Sequence, residues 1–238
     1  MKLKGGVIII GSLLWDSKRE RKDWRENNLK LSDKIRVFLP IRYGRLSDSR
    51  RNTYTMVLSN NCYRCGLGTG WVLRFRTEVN SFDDLKREAE EMGKAEGIGN
   101  GLFCDWGVVS LILNPNKEFD NSIQEEWTKL MKDKLKNHQL LEAKLKSEKA
   151  SVDSNGFLKI RWPKKVTNQK NLDLDFLLAT VTLPTITKNR YPSIFEISNA
   201  MIKANYCEYF IKNIKNKITT FQDKRILDRL KKKCSNKF

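Results

Sequence analysis

The stretch Val7-Ile8-Ile9-Ile10 followed by Gly11-Ser12-Leu13-Leu14-Trp15 constrains this chain most. Four β-branched apolar residues in a row fit a pleated, packed surface, and the run stops at glycine and serine. The spacing predicts a buried strand ending in a tight loop. Gly11 would let the backbone come close to a ligand, and backbone N–H groups in such a loop can hold an anion. Many buried first strands end in Gly-Ser and bind nothing, so the loop acquires meaning only from residues further along the chain.

At 238 residues the chain is long enough to bury a full core. No segment approaches the ~18 consecutive apolar residues of a membrane span. The opening Met1-Lys2-Leu3-Lys4 runs straight into the strand with no small-residue cleavage pattern, which does not read as a secretory signal. Five cysteines in irregular spacing argue for free thiols in a reducing compartment, and the expected location is cytoplasmic. Cys62 and Cys65 form a lone CxxC with no second pair, and a zinc site takes four ligands. A hairpin loop over Cys62 to Gly68 is the better account, and no metal is expected. The formal charge of +18 would attract nucleic acid, an acidic membrane surface or small anions, and it is equally what solvated lysine-rich faces produce. The dense basic run from Lys224 to Lys237 reads as a frayed, solvated tail.

Ile35 to Tyr43 alternates like a strand with one buried face, Tyr43 to Arg50 breaks the alternation with turn formers, and Thr53 to Ser59 is β-rich again. Gly66 to Gly70 feeds a further strand, Trp71 to Phe75. The first 75 residues therefore read as a twisted or barrelled sheet of consecutive strands. Ser81 with Asp83 and Asp84 opens a helix through about Met92, ended by Gly97, Gly99 and Gly101. Trp106 to Leu113 is a long apolar strand. Ile123 to about Lys146 is an amphipathic helix, with Trp127, Met131, Leu135, Leu141 and Leu145 on its apolar side. Phe157 to Trp162 and Phe176 to Leu183 are strand-like. A helix is expected from Ile194 to about Ile214, and another from Thr220 with Asp223 in a capping-box-like pair.

Three pieces, in order, resemble the γ-glutamylcyclotransferase-like superfamily, in particular its glutathione-degrading ChaC branch. Ile10-Gly11-Ser12-Leu13-Leu14-Trp15 looks like that branch's Tyr-Gly-Ser-Leu-Ile-Trp signature, with Ile10 where the tyrosine stands. Arg42-Tyr43-Gly44-Arg45-Leu46-Ser47-Asp48-Ser49-Arg50 is similar to its arginine-aromatic segment ending in Ser-x-Asp-x-Arg. Ala95-Glu96-Gly97-Ile98 is similar to the Gln-Glu-Gly-Val whose glutamate is catalytic. The resemblance covers roughly residues 5–115. It implies an α+β fold, a mixed small β-barrel with flanking helices, over residues 1–118, and leaves 119–238 as a helical elaboration packed on that core.

The implied reaction releases 5-oxoproline and an amine from a γ-glutamyl amine or peptide, and it needs no cofactor. Glu96 is the expected general base and acid. Gly11, Ser12 and Leu13 would hold the substrate carboxylate or the developing oxyanion, and Arg42, Tyr43 and Arg45 would bind substrate. Glu96 also has a plain reading, as the end of the charged segment from Glu88 to Lys94. The competing expectations are a basic nucleic-acid-binding or interaction module on the same fold, with Lys and Arg clustered among aromatic rings, and a different transferase whose pocket the C-terminal half remodels.

Overall fold

The computed structural model of the protein describes residues 2–99, 101–119, 121–136, 138, 145, 150–167, 172–185 and 190–233. Strand β1 (Gly5–Ile9) is buried along its whole length. It is flanked on both sides, antiparallel by β5 (Gly68–Arg74) and parallel by β9 (Phe176–Thr182). Successive residues point to opposite faces and all are buried, so both faces are covered, which is why the sequence is continuously apolar instead of alternating. Outward from β9 lie β7 (Gly107–Leu113) and the short β6 (Phe103–Cys104). Outward from β5 lie β2 (Ile35–Leu39) and the short β8 (Lys164–Lys165).

The fold is α+β, and its seven-stranded sheet is open among the described residues, with β6 and β8 at opposite edges. The expected closed barrel is therefore not what the described pairing makes. Pro40 is one physical reason. The expected single strand from Ile35 to Tyr43 is cut there, because proline has no N–H to give a ladder. After Pro40 the chain leaves the sheet as β3 (Ile41–Ser47), which pairs only with β4 (Thr53–Leu58) in a separate hairpin. A single turn of helix, α2 (Cys62–Cys65), replaces the hairpin loop expected around the CxxC.

The second reason is β9. It comes from beyond residue 118 and sits between β7 and β1, in register with both. A boundary at 118/119 therefore runs through the middle of one sheet, and the C-terminal half completes the core rather than decorating it.

Helices cover the sheet. They are α1 (Arg19–Asn28), α3 (Phe82–Glu96), α4 (Asn121–Leu135), α5 (Ile194–Lys203), α6 (Glu208–Lys215) and α7 (Asp223–Lys233). The expected helix from Ile194 to Ile214 is two, broken where Asn205 takes a left-handed conformation, φ 49°. The expected extension of α4 through Leu141 lies outside the described residues. Among the described residues Phe157 and Leu158 form isolated bridges, to Leu111 and Val152, instead of a ladder, so the strand expected there does not form. The basic run after Lys224 is no frayed tail up to Lys233, because Ile226 and Leu230, one helical turn apart, are buried. No helix among the described residues is long and apolar enough to cross a membrane.

Candidate functional site

Helix α3 starts on Ser81, whose hydroxyl accepts from the Asp84 N–H at 3.1 Å. It runs to Glu96, past the expected end near Met92, and closes in a Schellman turn. Ile98 N–H reaches the Gly93 carbonyl at 2.8 Å and Gly97 N–H the Lys94 carbonyl at 2.9 Å. Gly97 takes φ 88°, which only glycine adopts without strain, and Ile98 is buried as the hydrophobic partner of the turn. The glycine run thus stops a helix with Glu96 as its last residue, and so fixes where the Glu96 side chain leaves the backbone.

Glu96 lines a cavity of about 350 Å³ together with Gly11, Ser12, Leu13 and Arg45. The strand-end loop, the hairpin and the end of α3 converge there. The Glu96 carboxylate has only 19% of its side chain exposed and accepts from Arg21 Nη2 at 2.8 Å. Burial raises its pKa above the ordinary carboxyl value, against the opposing pull of Arg21, Arg50 and Arg45. Arg21 is the hub of the wall. Its Nη1 donates to Ser12 Oγ and to Asp16 Oδ2, both at 2.8 Å, and its Nε to the Ala95 carbonyl at 3.2 Å. One guanidinium thereby ties α1, the Gly11 loop and the end of α3 together.

Asp16 is shared with Arg50, whose Nη2 lies 3.2 Å from Oδ2. Burial acts to raise the Asp16 pKa, but the Lys18 N–H, Arg21 and Arg50 outweigh it and hold the carboxyl below its ordinary range. Arg25 completes the loop's support, donating to the Leu13 and Asp16 carbonyls at 2.8 and 2.9 Å.

The hairpin brings Arg45 in by a β-bulge. Tyr43 pairs with Met56 and Arg45 with Thr55, so the register slips at Gly44 and the two side chains leave opposite faces despite being two residues apart. Arg45 stacks over Trp106, 4.6 Å from the ring centroid, and makes no ion pair among the described residues. Burial pushes its pKa down, as expected of a guanidinium with little compensation.

The same bulge removes Tyr43 from the site. Its side chain is fully buried against Phe210, ring centroids 6.3 Å apart. Arg42 is absent from the cavity wall too, with its guanidinium 4.2 Å from the centroid of the Tyr191 ring. The structure thus does not bring these two expected substrate-binding residues to the cavity that Glu96 lines. Strict alternation, the only rule available from sequence, cannot register an inserted residue.

Among the residues in or beside the wall that were not foreseen as site residues are Asp16, Arg21, Arg50, Trp106 and Tyr209. Asp16 directly follows the first of the three segments that carry the resemblance and Arg50 ends the second, and that adjacency was a usable signal. Arg21 and Tyr209 gave none, one being in a charged helix and the other in the C-terminal half. Tyr209 bears directly on Gly11, because a Cβ at that position would lie 2.7 Å from the tyrosine hydroxyl. That hydroxyl accepts from the Met56 N–H at 3.3 Å and is not free to retreat. Thr180 and Thr182 on β9 add hydroxyls to the wall.

Cys62 is buried and its thiol is pushed up to about 12 by burial, while Cys65 is exposed. Among the described residues no group of three or more His, Cys, Asp and Glu side chains converges as metal ligands would. No protein-family model matches this chain, and neither the curated proteins nor the solved structures contain a match to it.

Proposed function

We propose that this chain is a cyclotransferase of the γ-glutamyl type, on a γ-glutamylcyclotransferase-like fold. It would release 5-oxoproline and an amine from a γ-glutamyl amine or peptide. The observation that carries the reading is the shared cavity, which Glu96 and the Gly11–Leu13 turn line together although they lie far apart in the sequence.

In this reading the substrate's α-amine attacks its own γ-carbonyl. A C–N bond closes the five-membered ring, the γ-amide C–N bond breaks, and no electron donor or acceptor is consumed. Glu96 takes a proton from the α-ammonium and returns one to the departing nitrogen. Its raised pKa makes the ionised carboxylate a stronger base toward the ammonium, and keeps the proton it gains on the carboxyl until the departing nitrogen takes it. Before it can act, Glu96 must exchange its Arg21 hydrogen bond for one to the substrate ammonium.

Arg45 meets the substrate carboxylate, for which an ion-pair-free guanidinium half-shielded from water is a strong partner. The backbone at Ser12 and Leu13 faces the developing oxyanion. Holding the chain bent for attack supplies a share of the ~7 to 11 kcal/mol available from intramolecular alignment.

The test is incubation of the purified protein with a panel of γ-glutamyl compounds, glutathione included, with 5-oxoproline followed by mass spectrometry. Product from at least one compound, lost in Glu96→Gln, is the expected result. Absence of product from every compound, or full activity in Glu96→Gln, overturns the reading.

A further inference from the structure

The far edge of the sheet carries a second feature, on elements the cavity does not use. Arg36 and Phe38 lie two residues apart on β2 and so share a face. Phe38 pairs with Thr69 on one side and with Lys164 on the other, while Arg36 pairs with Trp71. The Arg36 Nη2 hydrogen bond to Thr69 Oγ1, 3.1 Å, places both side chains on that same face. Lys34 stands 5.1 Å above the Trp71 ring. Lys217 borders the face through its carbonyl, which accepts from Thr69 Oγ1 at 3.0 Å.

Lys34, Lys164 and Lys217 are exposed, and so is Phe38, at 40%. None of Lys34, Arg36, Lys164 and Lys217 makes an ion pair among the described residues, in contrast to Lys2, Lys4, Arg19, Lys22 and Arg87, which do. Lys164 also lines a neighbouring cleft of about 710 Å³ with Trp162 and Lys165, whose wall also carries Lys117 paired with Asp173 at 3.2 Å. Cations left without carboxylate partners, set around an exposed aromatic ring and running into a cleft with a second ring, match the chemistry of a phosphodiester strand. Its phosphates meet the ammonium groups and its bases meet the rings.

We propose that the β2–β8 edge binds single-stranded nucleic acid, with Lys34, Lys164 and Lys217 on the phosphates and Phe38 and Trp162 as stacking surfaces. Exposed rings on a sheet face can stack on bases only where those bases are unpaired, so a single strand is the occupant it fits. This surface is separate from the Glu96 cavity and stands whether or not that cavity is catalytic.

The experiment measures fluorescence anisotropy of a labelled twelve-nucleotide single strand at stepped salt, with folding of every variant checked by circular dichroism. The expected result is affinity that falls with salt and drops at least about tenfold in the Lys34→Glu/Lys164→Glu double variant. Phe38→Ala should weaken binding without altering its salt slope, because a ring releases no counterions. The control double variant Lys129→Glu/Lys132→Glu makes the same charge change on exposed residues of α4 and should bind as the unaltered chain does. No binding, an equal loss in the control pair, or binding to anionic lipid vesicles but not to the oligonucleotide each overturns the proposal.

Discussion

The chemistry of the cavity turns on a guanidinium that the Glu96 carboxylate already touches. Arg21 favours the charged form of Glu96, while burial favours the neutral one, and burial prevails. Removing the positive charge leaves desolvation less opposed, so the Glu96 pKa should rise further. Replacing Arg21 by Met should therefore move the Glu96 titration to higher pH, and Arg21→Lys should move it less. A carboxyl carbon titration by NMR reads this directly, without relying on turnover. If the cyclotransferase reading holds, the acidic limb of kcat/KM shifts the same way, since the base must be ionised to act. An unmoved titration in Arg21→Met would show that Arg21 does not set the protonation of Glu96.

Helix α3 links the surface to the site, being capped at Ser81 and ending at Glu96. Ser81→Ala removes an acceptor for an N–H of the first turn, a loss of about 1 kcal/mol. For a chain of this length that is a fall in Tm of roughly 2–4 °C. The Glu96 titration should stay where it was, because the Schellman turn and the Arg21 hydrogen bonds hold the far end independently of the cap. A changed titration in Ser81→Ala would mean that the helix shifts as a body. The helix itself was legible from Ser81, Asp83 and Asp84 at one end and the glycines at the other. Its extension to Glu96 was not, because Gly97, Gly99 and Gly101 mark that the helix ends without marking which residue is its last. Gly93 is buried within the last turn, where a Cβ would collide with the Gly101 carbonyl at 1.6 Å, so it serves the packing of the returning loop.

At the scale of the whole molecule, the pH dependence of stability turns on the buried carboxyl at the start of α7. Asp223 accepts from the Thr220 N–H and hydroxyl at 2.9 and 2.6 Å, and yet burial raises its pKa from 3.8 to about 6. The native state then holds a proton that the unfolded chain has released. Asp223 contributes stability that is fully present below pH 3.8 and is lost as pH rises through about 6. Asp223→Asn keeps the shape and most of the hydrogen bonding while abolishing the titration. Chemical denaturation from pH 4 to 7 should show the unaltered chain losing stability with rising pH relative to the variant, whose advantage is greatest above pH 6. Parallel curves would exclude Asp223 as the source.

The sequence by itself determined the buried first strand, the loop that ends it, the capped start of α3 and the α+β class. Each of these rests on interactions between near neighbours in the chain, which periodicity and capping residues record. Three things were decided only in three dimensions. Pro40 and the bulge at Gly44 turned a single expected strand into two strands in different sheets, sending Arg45 into the cavity while burying Tyr43. Strand β9 took the central place beside β1 from more than a hundred residues away, since parallel pairing carries no local turn signal. Arg21, Asp16 and Tyr209 then closed around Gly11 and Glu96, because which charged or aromatic side chain meets a loop depends on helix docking that no spacing encodes.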